Sequence, residues 1–238
     1  MSKVITQVSV IIPALNEGGN IHNLVSEVQA VAVPGAELSV VVVDNGSSDD
    51  TAQQALAAEA QVVAEPRRGY GYACAAGVAA AHTADIIVFL DGDYSSLPAE
   101  MPLVLAPILS GQADLCLGSR ELGGIQPGAM PPHQRFGNRL VSWLMSALYR
   151  LPLTDLGPYR AIRYQTLLDL EMCEMTYGWP TEMTVKVARS GLRIVEVPVS
   201  WHKRRAGKSK VSGTLRGTVL AAWFILGVTL RYAFAKRR

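Results

Sequence analysis

The chain has little cysteine, little charge and few aromatic residues: three Cys in 238 positions, 18% Asp, Glu, Lys and Arg, and 7% Phe, Trp and Tyr. Cys74, Cys116 and Cys173 are far apart and form no CxxC pair. This excludes a disulfide framework and the usual zinc motifs, and predicts small core residues in a reducing compartment. The low charge, together with 49% apolar residues, excludes a disordered chain. Long hydrophobic runs are missing too. Val219 to Leu230 is a run of twelve uncharged residues, roughly 18 Å as a helix against a hydrocarbon core of ~30 Å. The opening MSKVITQVSVIIPALNE has too short an apolar stretch for a signal peptide, so a cytoplasmic start is expected. No internal repeat or low-complexity segment is present.

The most informative absence is of acid near the C-terminus. Ser200 to Arg238 contains ten Lys or Arg and no Asp or Glu, so a net charge of +2 conceals −8 on the first 199 residues and +10 on the last 39. Such segregation predicts an anionic partner at that end. Nucleic acid is disfavoured, because the aromatic residues of the tail lie in an apolar block and are not interleaved with its charges. Phosphate groups or an anionic membrane surface remain. The run Val219 to Leu230, with Trp223, Phe224, Tyr232 and Phe234 around it and Lys236, Arg237 and Arg238 closing the chain, suits an interfacial helix, a contact to a partner membrane protein, or a buried terminal helix.

What is present has the rhythm of an α/β protein. Apolar runs at Val8 to Ile12, Leu38 to Val43 and Ile86 to Leu90, with a shorter one at Gln61 to Ala64, alternate with helical patterns near Asn20 to Val31, Thr51 to Ala60 and Tyr72 to Ala81. The alternation predicts a parallel sheet with crossover helices, its strands apolar throughout because both faces are covered. Gly123 to Gln134, GGIQPGAMPPHQ, reads as a loop. A helix is expected over Gln134 to Arg150, packed on the sheet or also touching a lipid surface; no acid occurs between Glu121 and Asp155, while Arg135, Arg139 and Arg150 do.

Polar residues collect where the strands stop, which in an open α/β sheet is the ligand crevice. Asp91-Gly92-Asp93 follows the strand IIVFL: two carboxylates two residues apart can share one hard divalent cation with a diphosphate. Asp44 ends the strand VVVD and Glu17 follows the first strand in PALNEGG; carboxylates at such tips suit a base or ribose. Asp49 and Asp50 read as caps of the next helix. Gly69 and Gly71 in RRGYGYACAAG are loop glycines that let backbone approach a nucleotide, or a plain helix entry. His22, His82, His133 and His202 are too scattered to form a ligand set.

In order, VSVIIPALNEGGNI, VVVDNGSSDDT, FLDGDYSSLP, LGSRELGG, TDLGPYRAI and VPVSWHKRRAGKSK resemble the family 2 glycosyltransferases of GT-A fold, and among them the polyprenyl-phosphate mannosyl- and glucosyltransferases. The resemblance runs from about Val8 to Ser212. It implies a Rossmann-like, mostly parallel mixed sheet with helices on both faces: one catalytic domain over 1–212, then a basic-flanked apolar helix over 213–238. It further implies that Pro13, Leu15, Glu17 and Asp44 hold the nucleoside and that Gly69 belongs to the nucleotide loop. Asp91 and Asp93 would carry Mg²⁺ or Mn²⁺. Arg120, Arg135 and Arg139 would receive the phosphates of donor and acceptor, and Lys208 would lie in the basic loop that closes over the nucleotide-sugar. Ser95 stands where relatives have a metal-completing Gln, and Gly157-Pro158-Tyr159 where they have SGF.

The expected reaction is an inverting hexose transfer from a nucleotide-sugar of UDP-glucose or GDP-mannose type to a polyprenyl phosphate at the cytoplasmic membrane face. A hydroxyl acceptor would require a general base, for which Asp155 and Glu182 are the candidates; a lipid phosphate is already anionic and requires cations instead. A small phosphorylated soluble acceptor, and a binding protein without catalysis, are the rival expectations.

Overall fold

The computed structural model describes residues 5–207 and 215–234, with only the backbone described for 215–222. Seven strands form one sheet: β1 (Thr6–Ala14), β2 (Ala36–Asp44), β3 (Gln61–Ala64), β4 (Ile86–Phe89), β5 (Leu115–Ser119), β6 (Arg160–Arg163) and β7 (Ile194–Pro198). Their order is β3-β2-β1-β4-β6-β5-β7. All pairings are parallel except the two made by β6, which runs antiparallel between β4 and β5. This is the mostly parallel mixed sheet that was expected.

Strand alternation sorts the apolar side chains into two cores. Val10 and Ile12 of β1, with Val40 and Val42 of β2, face α1 (Gly18–Gln29), α2 (Thr51–Ala57) and α4 (Met101–Leu109). Ile11, Val41 and Val43 face the other way, onto α3 (Tyr70–Ala80). The remaining helices are α5 (Arg120–Gly123), α6 (Pro132–Tyr149), α7 (Tyr164–Asp169), α8 (Trp179–Arg189) and α9 (Leu215–Phe234). Val141 and Met145 of α6 and Met183 and Val187 of α8 fill the second core, and Ile225, Leu226 and Tyr232 of α9 pack on it. Among the described residues no helix is long and apolar enough to cross a membrane.

One sequence expectation needs correction. Cys74 and Cys116 are core residues, but Cys173 is exposed, because it lies in the irregular segment between α7 and α8. The loop from Gly124 is tethered: Ile125 bridges Trp201, Gln126 N–H donates to Trp201 O at 2.8 Å, and Gln126 Oε1 accepts from Lys203 N at 2.9 Å. A glycine- and proline-rich run cannot form a central strand, but it can lie beside an extended neighbour.

Candidate active site

The carboxyl ends of β1, β2 and β4 open into a cleft of about 470 Å³. Pro13, Leu15 and Glu17 come from the end of β1, Asn45 from β2, Gly69 and Tyr70 from the entry of α3, and Asp91 and Asp93 from β4. Two of the turns use left-handed residues, Asn16 (φ 52°) and Tyr94 (φ 62°), a conformation costly for a side chain as large as tyrosine. Each sits next to an acid of the cleft, Glu17 or Asp93, and turns the chain so that the acid points inward.

The acids are held from several sides. Glu17 Oε2 accepts from Asn20 Nδ2 at 2.9 Å, and Glu17 N–H donates to Thr51 Oγ1 at 2.9 Å. Asp93 Oδ1 accepts from Ser95 N and Oγ at 2.9 and 2.5 Å, so Ser95 fixes the direction of the carboxylate. Arg204, from the strap after β7, bridges the two acids, with Nη1 3.2 Å from Glu17 Oε1 and Nη2 2.6 Å from Asp93 Oδ2. Tyr70 OH donates to Asp91 Oδ1 at 3.2 Å. Burial, then the neighbouring Asp93 charge, pushes the Asp91 carboxyl up to about 7 against the pull of Tyr70, Arg204 and Arg120. Burial likewise raises the Tyr70 hydroxyl and brings the Arg160 guanidinium down to about 10.

A divalent cation fits this donor set only as a partly solvated ion. Among the described residues no group of three or more His, Cys, Asp or Glu could hold one. Asp91 and Asp93 offer hard oxygens, and Mg²⁺ characteristically takes one or two carboxylates plus substrate phosphates and water. That the place attracts positive charge is visible in Arg204, whose guanidinium stands on Asp93.

The cleft also has an apolar lining. Pro158, Tyr177 and Pro180 form this wall with Phe224 and Ile225 of α9. The strap that carries Arg204 is fastened outside the cleft. The Arg205 guanidinium lies 3.7 Å from the centre of the Tyr94 ring and Nη1 3.2 Å from Glu27 Oε1, while Tyr94 OH donates to the same Glu27 oxygen at 3.0 Å. Ala206 O accepts from Asn20 Nδ2 at 3.3 Å, and His202 N–H donates to Ser95 O at 2.9 Å.

The residues singled out in the sequence therefore divide. Pro13, Leu15, Glu17, Gly69, Asp91 and Asp93 line one cleft. Asp44 sits at the tip of β2, where Oδ1 accepts from Ser47 N at 2.8 Å, and the cleft wall there is its neighbour Asn45. Lys208 lies outside the described residues. Asp49 does tie helix entries, accepting from Thr51 N at 3.1 Å and Gly18 N at 3.1 Å. Gly69 and Gly71 are required by packing: a Cβ on either would lie 2.5 Å from the backbone of the Glu174–Met175 segment.

Arg120, Arg135, Arg139 and Asp155 form a second cluster beside the cleft. Asp155 is wholly buried and accepts from Arg120 N and Nε, both at 2.7 Å, and from Nη2 at 2.6 Å. Burial alone would raise its carboxyl, but the Arg120 charge and these hydrogen bonds outweigh burial and hold it below the usual carboxylate range. Arg120 lies over the Trp201 ring, 4.8 Å from its centre. Arg135 Nε and Arg139 Nη2 converge on Glu121, at 2.9 and 2.7 Å, so one acid answers two cations. Glu182, the other candidate base, is also buried and occupied: it accepts from Cys173 N, Glu174 N and Tyr232 OH, and Lys186 Nζ lies 3.1 Å away.

Sequence reasoning missed Arg204, although its motif RRAGKSK was in view, because a run of adjacent basic residues does not say which one turns inward. It also missed Tyr70 and the α9 wall. An apolar helix carries no sequence mark of lining a distant cleft.

The model of glycosyl transferase family 2 matches residues 9–176. An uncharacterized glycosyltransferase of Mycobacterium tuberculosis is 41% identical over 215 residues, covering 90% of this chain and 94% of that one. The undecaprenyl-phosphate mannosyltransferase of Micrococcus luteus is 34% identical over 248 residues, covering 98% of each. The polyprenol monophosphomannose synthase of Mycolicibacterium smegmatis is 30% identical over 237 residues, 92% of this chain and 87% of that one. Among solved structures, glucosyl-3-phosphoglycerate synthase of M. tuberculosis with Mn²⁺, UDP-glucose and phosphoglyceric acid superposes with a TM-score of 0.77 at 23% identity, over 97% of this chain and 81% of that one. That likeness gives the fold. Fold, motif order and the extent of these matches agree: the chain belongs to glycosyl transferase family 2, built on the GT-A fold.

Proposed function

We propose that this glycosyltransferase moves a hexose from a nucleotide-sugar of UDP-glucose or GDP-mannose type to a polyprenyl phosphate at the cytoplasmic membrane face, with inversion at the anomeric carbon. One observation carries the choice of acceptor: the cleft joins a carboxylate and arginine end to an apolar wall, and both candidate bases are locked in buried hydrogen bonds. A hydroxyl acceptor would be left without either of them as a base. A phosphate monoester is already ionised at neutral pH and requires none.

In the reaction an oxygen of the acceptor phosphate bonds to the anomeric carbon as the bond from that carbon to the donor's β-phosphate oxygen breaks. The electron pair leaves on the nucleoside diphosphate. A bound Mg²⁺ or Mn²⁺ would supply charge neutralisation for that leaving group. Asp91 and Asp93 would hold the ion, and Arg204, once released from Asp93, is placed to pair with a diphosphate oxygen. Arg120, held in place by Asp155, adds a fixed positive charge near the cleft; a preorganised cation of this kind stabilises charge as it develops without reorganising during the step. The apolar wall accommodates the first isoprene units and keeps water from the anomeric carbon.

Support comes from the relatives named for undecaprenyl-phosphate and polyprenol-phosphate mannose transfer. A small phosphorylated acceptor is the second reading, favoured by the fold neighbour crystallised with phosphoglyceric acid. Incubation with labelled UDP-glucose or GDP-mannose, Mn²⁺ and a short polyprenyl phosphate should move label into the organic phase. Label appearing only on added phosphoglycerate would establish the second reading, and no metal-dependent product from any common donor would overturn both.

A further inference from the structure

Two neighbouring helices present aromatic and aliphatic side chains outward. On α6, Phe136, Leu140 and Trp143 fall at i, i+4 and i+7, with Phe136 69% and Trp143 65% exposed. On α9, Trp223, Leu230 and Phe234 fall at i, i+7 and i+11, with Trp223 75% and Phe234 83% exposed. Each set forms one stripe of its helix. The two helices pack on one another, and Tyr149 OH at the end of α6 donates to Thr229 O of α9.

We propose that the outer face of α6 and α9 docks on an anionic lipid surface, the helices lying in its plane. Exposed apolar area of this kind calls for a cover, and the surrounding charge selects it. Arg150 and Arg231 are exposed at the ends of the same helices, Arg135 and Arg139 share the single acid Glu121, and no further acid occurs from position 122 to 154 or from 200 to 238. A second copy of the chain would bring these cations face to face. The apolar run of α9, Val219 to Leu230, is closed by Arg231 and would reach roughly 18 Å as helix against a hydrocarbon core of ~30 Å. An interface lined by Trp, Phe and Leu with Arg between them is instead the composition of a helix at headgroup level. The placement also has a use. The turn of α9 that exposes Trp223 puts Phe224 and Ile225 into the cleft wall, so a substrate chain held in a bilayer would enter beside the helix that rests on it.

The inference rests on the membrane-face reading above, and its test is kept free of the acceptor. The protein has four tryptophans. Trp179 and Trp201 are buried, so Trp143 and Trp223 dominate the solvent-exposed emission. The full chain is mixed with phosphatidylglycerol–phosphatidylcholine vesicles that contain no polyprenyl phosphate. Flotation with the vesicles, a blue shift of emission, and loss of both in high salt are expected, since each arginine near an anionic surface is worth about fivefold in binding. Trp143→Ser and Trp223→Ser should each lower the partition coefficient about tenfold, with turnover of a short water-soluble acceptor unchanged. No flotation on anionic vesicles, equal binding to pure phosphatidylcholine, binding indifferent to both substitutions, or a blue shift that tracks self-association in sedimentation would each overturn the proposal. Because the vesicles hold no acceptor, failure of lipid-phosphate transfer would appear separately, in the labelling assay.

Discussion

Asp155→Asn separates two roles for one carboxylate. If Asp155 took a proton from the acceptor, the amide would remove turnover and leave the fold intact. Its surroundings predict the reverse. It is fully buried, and three N–H groups of Arg120 donate to it within 2.7 Å. The amide keeps the shape but removes the charge and turns its NH₂ toward a guanidinium that is itself only 7% exposed. Leaving one member of a buried pair uncompensated costs about 3–5 kcal/mol. For a chain of this size 1 kcal/mol moves Tm by about 2–4 °C, so Tm should fall by about 6–20 °C. Replacing both partners with apolar residues, Arg120→Met with Asp155→Leu, should recover most of that loss in calorimetry, because an apolar pair of similar volume avoids burying a lone charge. The pair also gives a pH signature. The folded carboxyl lies below its ordinary value, so its contribution is complete above the unfolded pKa of about 3.9 and is lost as pH falls through the folded one. The variant should therefore lose the steep acid limb of the wild-type stability curve. An unchanged Tm with abolished turnover would refute the reasoning and restore Asp155 as a base.

Arg205→Ala should raise the donor KM several-fold with Tm nearly unchanged, since it unfastens the strap from Tyr94 and Glu27 while leaving the core alone; steady-state kinetics with circular dichroism decide this. Asp93→Asn should lower kcat by about 10²–10³ and abolish its dependence on Mn²⁺ concentration. Mn²⁺ binding followed by calorimetry should weaken as pH drops below 7, because the Asp91 carboxyl, raised to about 7, must give up its proton to take a cation, with proton release on binding as the check. Gly71→Ala should destabilise the fold and shift the Thr176–Tyr177 side of the cleft, because the new Cβ meets the backbone of Glu174 and Met175; loss of nucleotide-dependent thermal shift at a temperature where the variant is still folded would show it.

The first half of the fold was legible because its signals are local. The β-branched runs mark β1, β2 and β4, and the acids after them mark the cleft. The antiparallel β6 was not legible: RAIR is four residues long, mixed in polarity, and paired with β4 and β5, far from it in sequence. In the site, residues carried by strand tips were found and residues brought by long-range folding were not. Glu17 and Asp93 announce themselves beside apolar runs, whereas Arg204 reaches them from more than a hundred residues away. The motifs LGSRELGG and TDLGPYRAI drew attention to Arg120 and Asp155, but neither motif nor charge distinguishes a group facing substrate from one buried against its opposite.

For the metal site proposed at Asp91 and Asp93, the bridge from Arg204 to Glu17 and Asp93 would make uptake an exchange of cations. An incoming ion would take the Asp93 oxygen that the guanidinium holds, so a measured metal affinity would report the difference between the two holds and not the strength of either. Truncating Arg204 would then tighten metal binding even as it weakens the grip on the diphosphate. It follows, too, that a chelator should leave the fold standing, since Arg204 already ties Glu17 to Asp93 from within.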